Sequence, residues 1–396
     1  MKTLKNACKR LTACIVALSV VFGLGGCYDR RELNTLSIVF GTAIDKADKK
    51  GETTITFQIA DVGGEGKSEK GSPKGSGQMS TQYLNISNTG KNANNIIRDM
   101  DHILSREVYI AHNQVIVIGE DLAREGVRDS LDFFARSPEG RLNVYIFVAR
   151  GKGSDILETE PKLEKMPSDD LVRTLMVQKR TSEAPIITEF DLIKGLISKT
   201  TCSIVPIVYI KEIEDKENVC VEGCAVFKDG KMIAELDKKE TRGVLWIRNE
   251  VKNGAFLVDV EGTKATVEIR EARSKVKPEI RDDGKIVLKI QVNAMVGLGD
   301  QYGKFNLSDP TNIPEGLKMT ERAIRKEIRN AFNKVKAINA DVIGFGDCLR
   351  QRYPKKWEQV KDHWDETFKD IEAEITVKIK ADGNGRIDTP LHPSQG

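Results

Sequence analysis

The first apolar run closes on Leu24-Gly25-Gly26-Cys27, and that ending constrains the chain more than any later feature. Upstream lie Lys2, Lys5, Lys9 and Arg10 with no acidic residue, then a 14-residue apolar stretch from Leu11 to Leu24. A basic start, a short apolar centre and small residues at its end describe an export signal rather than a core helix. A bilayer span wants about 20 apolar residues, so this run is short for a permanent anchor. The charged Tyr28-Asp29-Arg30-Arg31-Glu32 follows at once and stops the run. Residues 1–26 are therefore expected to be a cleaved signal peptide, with the folded body beginning at Cys27.

A cysteine directly after Leu-Gly-Gly resembles a bacterial lipobox, in which the thiol takes a diacylglyceryl group and, after cleavage between Gly26 and Cys27, the new N-terminus is acylated. The competing reading is an uncleaved N-terminal membrane helix with an incidental cysteine. Loss of residues 1–26 removes four basic and no acidic residues, which leaves 58 Lys+Arg against 59 Asp+Glu and moves the formal charge from +3 to −1. The pI of 8.3 thus owes much to a discarded segment. Nothing in the charge balance argues for binding nucleic acid or a general anionic surface. With 31% charged and 39% apolar residues, the rest reads as an ordinary globular body lying in water. No later stretch approaches the length of a membrane span.

Seven cysteines occur. Cys8 and Cys14 sit in the leader and Cys27 is the acylation candidate, leaving Cys202, Cys220, Cys224 and Cys348. Export permits disulfides. Cys220 and Cys224 share one face of a strand but stand about 13 Å apart, too far to bond each other. A zinc site wants a second close pair, and none exists. Free thiols or one bridge from Cys202 to Cys220 or Cys224 remain, free thiols being favoured.

Along the body, Leu36–Ile44 and Thr54–Ile59 alternate as strands around a polar turn, a natural hairpin. Residues 62–80 read as a flexible loop. Within it Asp61-Val-Gly-Gly-Glu-Gly66-Lys67-Ser68 fails as a phosphate loop, because Asp61 stands where glycine is needed and no helix follows. Asn94–Leu104 reads as a helix, Val108–Ile118 as a strand, Asp121–Ala135 as a helix and Leu142–Val148 as a strand, with short helices over 168–180 and 188–198. Strands alternating with helices suggest a mixed sheet with helices packed on it. From Cys202 the texture changes. Ile204–Ile210 is a strand, Lys211–Asn218 a charged turn, and Cys220–Phe227 with Lys231–Leu236 a hairpin around Lys228-Asp229-Gly230. Asp237–Trp246 reads as a helix and Ala255–Val260 as a strand. Lys264–Pro278 and Lys285–Val296 are long alternating strands, and residues 297–314 a connection. Glu315–Asn339 is the strongest amphipathic helix. Lys355–Asp370 is a second, with Trp357, Val360, Trp364 and Phe368 on one face, and Ile371–Ile379 is a last strand. Those aromatics are read as a face packed on a sheet rather than a partner groove. The fold class is α/β mixed (α+β), each unit a mixed or antiparallel sheet with packed helices. Three domains are expected: 27–199, a small middle unit 200–262 and a C-terminal unit 263–385, with a flexible tail over 386–396.

The chemistry is sparse. The four histidines, His102, His112, His363 and His392, show no metal-ligand spacing, and no nucleophile elbow or calcium loop appears. His112 is read as orienting a turn before Val115. No catalytic, cofactor-binding or metal-ligating residue is assigned.

Several stretches together resemble the Ger(x)C family, the lipoprotein C-subunits of spore nutrient-germinant receptors. They are Cys27-Tyr28-Asp29-Arg30-Arg31-Glu32-Leu33, Ile38-Val39, Gly41-Thr42-Ala43-Ile44-Asp45, His112 through Gly126, Asp132-Phe133-Phe134-Ala135-Arg136 and Arg141 through Tyr145. Near the end stand Ala340-Asp341-Val342-Ile343-Gly344-Phe345-Gly346, Pro354, Trp357, Trp364 and Phe368. Tyr28 stands where the family more often has tryptophan, Ser87–Lys91 is a loose version of a family stretch, and 62–80 is a lengthened loop. The resemblance implies three mixed α/β domains and a non-catalytic subunit. It would be tethered through diacylglyceryl-Cys27 on the outer face of the spore's inner membrane, beside a polytopic membrane subunit and a larger partly soluble one. The alternative from another class is a solute-binding lipoprotein that takes a small nutrient directly, but such receptors have two similar lobes and this chain shows three unlike segments.

Overall fold

In the computed structural model the residues described are 6, 12, 13, 15, 35–60, 83–260, 262–303, 306 and 309–382. Cys27, the Gly-rich stretch 62–80 and the tail 386–396 lie outside them. Leu36–Lys46 (β1) and Thr53–Ala60 (β2) form the expected antiparallel hairpin. Tyr83–Gly90 (β3) adds a third strand that local pattern did not show. Its alternation is broken by Asn and Ser, and polar cross-strand pairs hold it. Thr56 and Ser87 hydroxyls lie 2.7 Å apart, and Gln58 Nε2 donates to Asn85 Oδ1 at 3.1 Å.

Asn92 caps Ala93–Asp101 (α1) by accepting the Asn94 N–H. The strand expected over 108–118 is two, Glu107–Tyr109 (β4) and Val115–Gly119 (β5), because the chain turns between them with Asn113 N–H donating to Ile110 O. Both run parallel to β1. The helix expected over 121–135 is likewise Glu120–Glu125 (α2) and Arg128–Arg136 (α3), broken at Gly126. Tyr145–Ala149 (β6) lies parallel to β5, followed by the unanticipated Gly153–Glu158 (α4) and the expected Pro167–Thr181 (α5) and Glu189–Ile197 (α6).

Ser203–Ile213 (β7), Lys216–Lys228 (β8) and Lys231–Leu236 (β9) continue this first sheet, whose order is β3-β2-β1-β5-β6-β7-β8-β9 with β4 beside β1. Residues 211–218, expected as a turn, are mostly strand, and the reversal is confined to Glu214 and Asp215. Lys238–Ile247 (α7) opens on a capping box of Asp237 and Glu240. Gly254–Val260 (β10), Thr263–Ile280 (β11), Ile286–Tyr302 (β12) and Glu372–Ala381 (β13) form the second sheet in that order, β13 parallel to β12. The segment 200–262 therefore divides between the two sheets, since β7 pairs with β6 through Val148–Ile207 and Ala149–Val208 while β10 pairs with β11. Ile313–Ala337 (α8) covers the second sheet. Beyond it lie Phe345–Arg352 (α9), Pro354–Val360 (α10), a 3-10 turn Lys361–His363 and Trp364–Asp370 (α11), so the helix expected over 355–370 is interrupted.

The first sheet has an apolar core on each face, one under α1, α3 and α6 around Phe57, Ile116 and Ile146, the other under α4 and α5 around Phe147, Leu157 and Leu175. A third core joins the two sheets, and α7 runs through it with every residue from Thr241 to Ile247 buried. At Gly243 the helix meets α8 so closely that an added Cβ would overlap the Ala331 methyl and come within 2.7 Å of Glu327 O. Beside it Arg242 Nε donates to Glu327 Oε1 at 2.8 Å and Nη1 to Ala255 O at 3.3 Å.

Gly243→Ala is expected to cost about 2–4 kcal/mol, at or above the usual range for overpacking a tight core. In urea unfolding, an Ala331→Gly background should restore only part of the loss, because the Glu327 carbonyl still obstructs the new methyl.

Candidate functional site

The chain enters β1 at Leu36, where Leu36 pairs with Glu107 and Ser37 Oγ donates to Arg106 O. Because β1, β5 and β6 are parallel, their first residues share one end of the sheet, and the segment leading back to Cys27 leaves from that end. Cys27 itself lies outside the described residues. Here Glu189 N–H donates to Val144 O and Phe190 N–H to Leu142 O, so α6 starts against the foot of β6. Thr188 and Asp191 cap α6 reciprocally.

Three of the surface clefts among the described residues have charged linings. One, of about 340 Å³, lies between α6 and the 342–347 loop, lined by Asp191, Lys194, Arg248, Glu250 and Asp347. Most of its charges are already engaged. Arg248 Nε reaches Glu250 at 2.7 Å, and Asp347 accepts from Thr201 and Arg350. A second, of about 810 Å³, separates the β1–β2 hairpin and the start of α1 from α3; Arg136 there pairs with Asp132 at 2.8 Å. A third, of about 410 Å³, shares Lys91 and Asp129 with the second. No group of three or more His, Cys, Asp or Glu side chains placed to hold a metal occurs among the described residues.

The remaining sequence-selected residues are structural. His112 packs its ring against Phe40 and Tyr109 at 6.3 and 5.8 Å. Trp364 stands between Phe345, Trp357 and Phe368 at 5.3–6.1 Å, all buried, so the aromatic run is an internal face. Cys202, Cys220, Cys224 and Cys348 are free thiols. Burial pushes Cys202 and Cys224 up to about 12, which suppresses the reactive thiolate.

Buried carboxyls were the feature local sequence could not reveal. Asp45 accepts Gly153 N–H at 2.6 Å and Ser154 N–H at 3.0 Å; burial still raises its pKa against those donors. Asp341 accepts Phe345 and Gly346 N–H at 2.9 and 2.8 Å, while burial pushes it up to about 6. Glu189 shares the buried face of α6 with Leu192 and Leu196, its Oε1 has no partner among the described residues, and burial raises it to about 7.

The chain is thus two sheets, one mixed and one antiparallel with a parallel edge strand, sharing a core through α7. The family model "Spore germination protein N-terminal domain" matches residues 29–210, and "Spore germination B3/GerAC like, C-terminal" matches 222–385. The chain belongs to the Ger(x)C family. It is similar to spore germination protein KC of Bacillus subtilis (strain 168), 29% identical with 94% of each chain covered. It is also similar to spore germination protein B3 of that organism, 24% identical over 94% of this chain and 97% of the other. The crystal structure of the GerBC protein superposes with a TM-score of 0.55 at 22% identity, covering 89% of this chain and all of that one, which shows the shared fold.

Because the folded state holds the Glu189 proton more tightly than the unfolded chain, stability is fullest below about pH 4.5 for this group and falls as pH rises toward 7. At about 1.4 kcal/mol per pKa unit, Glu189→Gln is expected to stabilise by about 1–3 kcal/mol above pH 7 and to give nothing near pH 4. Urea midpoints of both proteins across pH 4–8 check this.

Proposed function

We propose that this protein is a non-catalytic, lipid-anchored subunit of a spore nutrient-germinant receptor. The observation that carries this reading is positional. The family match begins at residue 29, two residues after the Leu24-Gly25-Gly26-Cys27 ending, and the two matches run on to 385. An export and acylation signal is thus followed at once by a Ger(x)C body. Cleavage between Gly26 and Cys27 frees the residue that takes the diacylglyceryl and N-acyl groups. No described helix is long and apolar enough to cross a membrane; in this reading attachment is by that lipid and by protein partners.

The body then sits on the outer face of the spore's inner membrane and assembles with a polytopic membrane subunit and a larger, partly soluble subunit. Its contribution is to hold the complex together rather than to transform a substrate. Confining it to two dimensions raises its effective concentration toward membrane partners, so individually modest contacts suffice for assembly. The paired charges lining the cleft beside α6 fit a seam between rigid units better than a pocket awaiting a charged nutrient.

Cys27→Ala is expected to move the protein from the spore membrane fraction to the soluble fraction and to slow nutrient germination sharply. Immunoblots of fractionated spores and optical-density loss after nutrient addition read the two effects. Full membrane retention of the variant would overturn the anchor.

A further inference from the structure

The side of α6 that faces away from the core carries an apolar stripe. Phe190 is 55% exposed and Ile197 74% exposed, with Ile193 half-buried between them; Leu142, 37% exposed, adjoins through the Phe190 N–H to Leu142 O bond. Residues 190, 193 and 197 fall on one helical face. Leu192 and Leu196, on the other side of the helix, face the core. Arg141, Lys194 and Lys199 flank it, all exposed, and Lys194 has no partner among the described residues. The neighbouring Asp191 is occupied by its capping bonds to Thr188.

Resting on the reading of Cys27 as the lipid anchor, we propose that this stripe lies on the bilayer surface and sets how the anchored body is oriented. The occupant follows from chain geometry. The feet of β1, β5 and β6 share one end of the sheet, with Gly41, Val115 and Tyr145 in register. Leu36 lies five residues further out along β1, so the start of the described body stands roughly 20 Å from the foot of β6, counting about 3.3 Å per residue and two strand spacings of about 5 Å. Eight residues separate Cys27 from Leu36, and the nine steps span at most about 30 Å. A lipid on Cys27 therefore holds Leu36 within about 30 Å of the membrane, at the end of the first sheet where α6 also starts. A partly sunk aromatic and aliphatic ridge flanked by lysine and arginine suits that boundary: the apolar groups enter the interface, and the cations are attracted to anionic headgroups.

The test uses the full, acylated protein on vesicles of phosphatidylcholine and phosphatidylglycerol whose acyl chains are brominated. The native Trp246, Trp357 and Trp364 are buried and out of reach of the quencher. Phe190→Trp should add emission that is blue-shifted on vesicles and loses roughly half its intensity to the bromine, as fits a ring about 5–10 Å below the headgroups. Leu257→Trp, on exposed β10 of the second sheet, should be unaffected. Mass spectrometry of the N-terminal peptide and vesicle flotation report the anchor separately. Acylated Phe190→Trp protein that floats while its introduced indole stays unquenched overturns the membrane surface and leaves the anchor standing. Quenching that appears only once the polytopic subunit is added also overturns it, since the stripe then meets protein. Absence of acyl groups on Cys27 overturns the anchor itself, and the orientation with it.

Discussion

The two sheets become one body through α7, and α7 can occupy its place only because Gly243 lets it lie against Ala331 and the Glu327 carbonyl of α8. A helix buried all round must be apolar all round or satisfy every polar group it carries. The segment Thr241–Ile247 comes near the second condition: its hydroxyl and guanidinium have partners, while Trp246 Nε1 is left without one among the described residues. Val244, Leu245, Trp246 and Ile247 join a core that reaches Cys224, Val226 and Leu236 of the first sheet and Ile324 and Ile328 of α8. Thr241 Oγ1 donates to Leu236 O and lies 3.3 Å from Cys224 Sγ, and Arg242 is taken up by Glu327 and Ala255. Burial raises Glu327's pKa although Arg242 pulls the other way, the mark of a pair whose desolvation offsets much of its attraction.

Two buried carboxylates act in the same manner at a distance in sequence. Asp45, at the end of β1, holds the start of α4, and the Cβ that Gly119 lacks would overlap its Oδ1. Asp341 holds the start of α9 with its side chain and takes the Cys202 N–H on its backbone carbonyl, which fastens the α8–α9 loop to the root of β7. Lys228 adds a third tie across the same seam, donating to Asn339 O and Asp365 at 2.8 and 2.6 Å. The cost is visible in Asp45 and Asp341, both displaced upward in pKa by burial, and it is offset because removing either acceptor would orphan two backbone donors.

Elements that carry their own signal were legible in the sequence. The hairpin at Asp229-Gly230, the amphipathic α8, the capped start of α7 and the long β11–β12 pair all follow from local pattern. What escaped depends on partners far along the chain. Strand β3 is polar and exists because β2 offers matching side chains, α4 is six residues held by Asp45, and the breaks at Gly126 and His363 interrupt otherwise continuous apolar periodicity. The same limit explains the middle segment. Nothing local tells β7 that its neighbour is β6, across three intervening helices, while β10 turns to β11.

Several of the motifs that announced the family are internal. Gly41–Asp45 is strand and cap, Asp341–Gly346 is a loop fastened from within, and Trp357, Trp364 and Phe368 are core. Residues of this kind specify a fold, and a fold shared at 22% identity leaves its exposed surface free to vary with each partner. The exposed features that distinguish one end of this molecule from the other are then the ones with room to differ in function. Of these, the Leu142–Phe190–Ile197 ridge stands at the end from which the chain runs back to Cys27, so anchoring and orientation would arise from one end of one sheet. A single lipid fixes a point and leaves rotation about it free. A second contact some 20 Å or more away along the same end restricts that rotation, which is what a subunit needs if its remaining faces are to meet membrane partners in a fixed register.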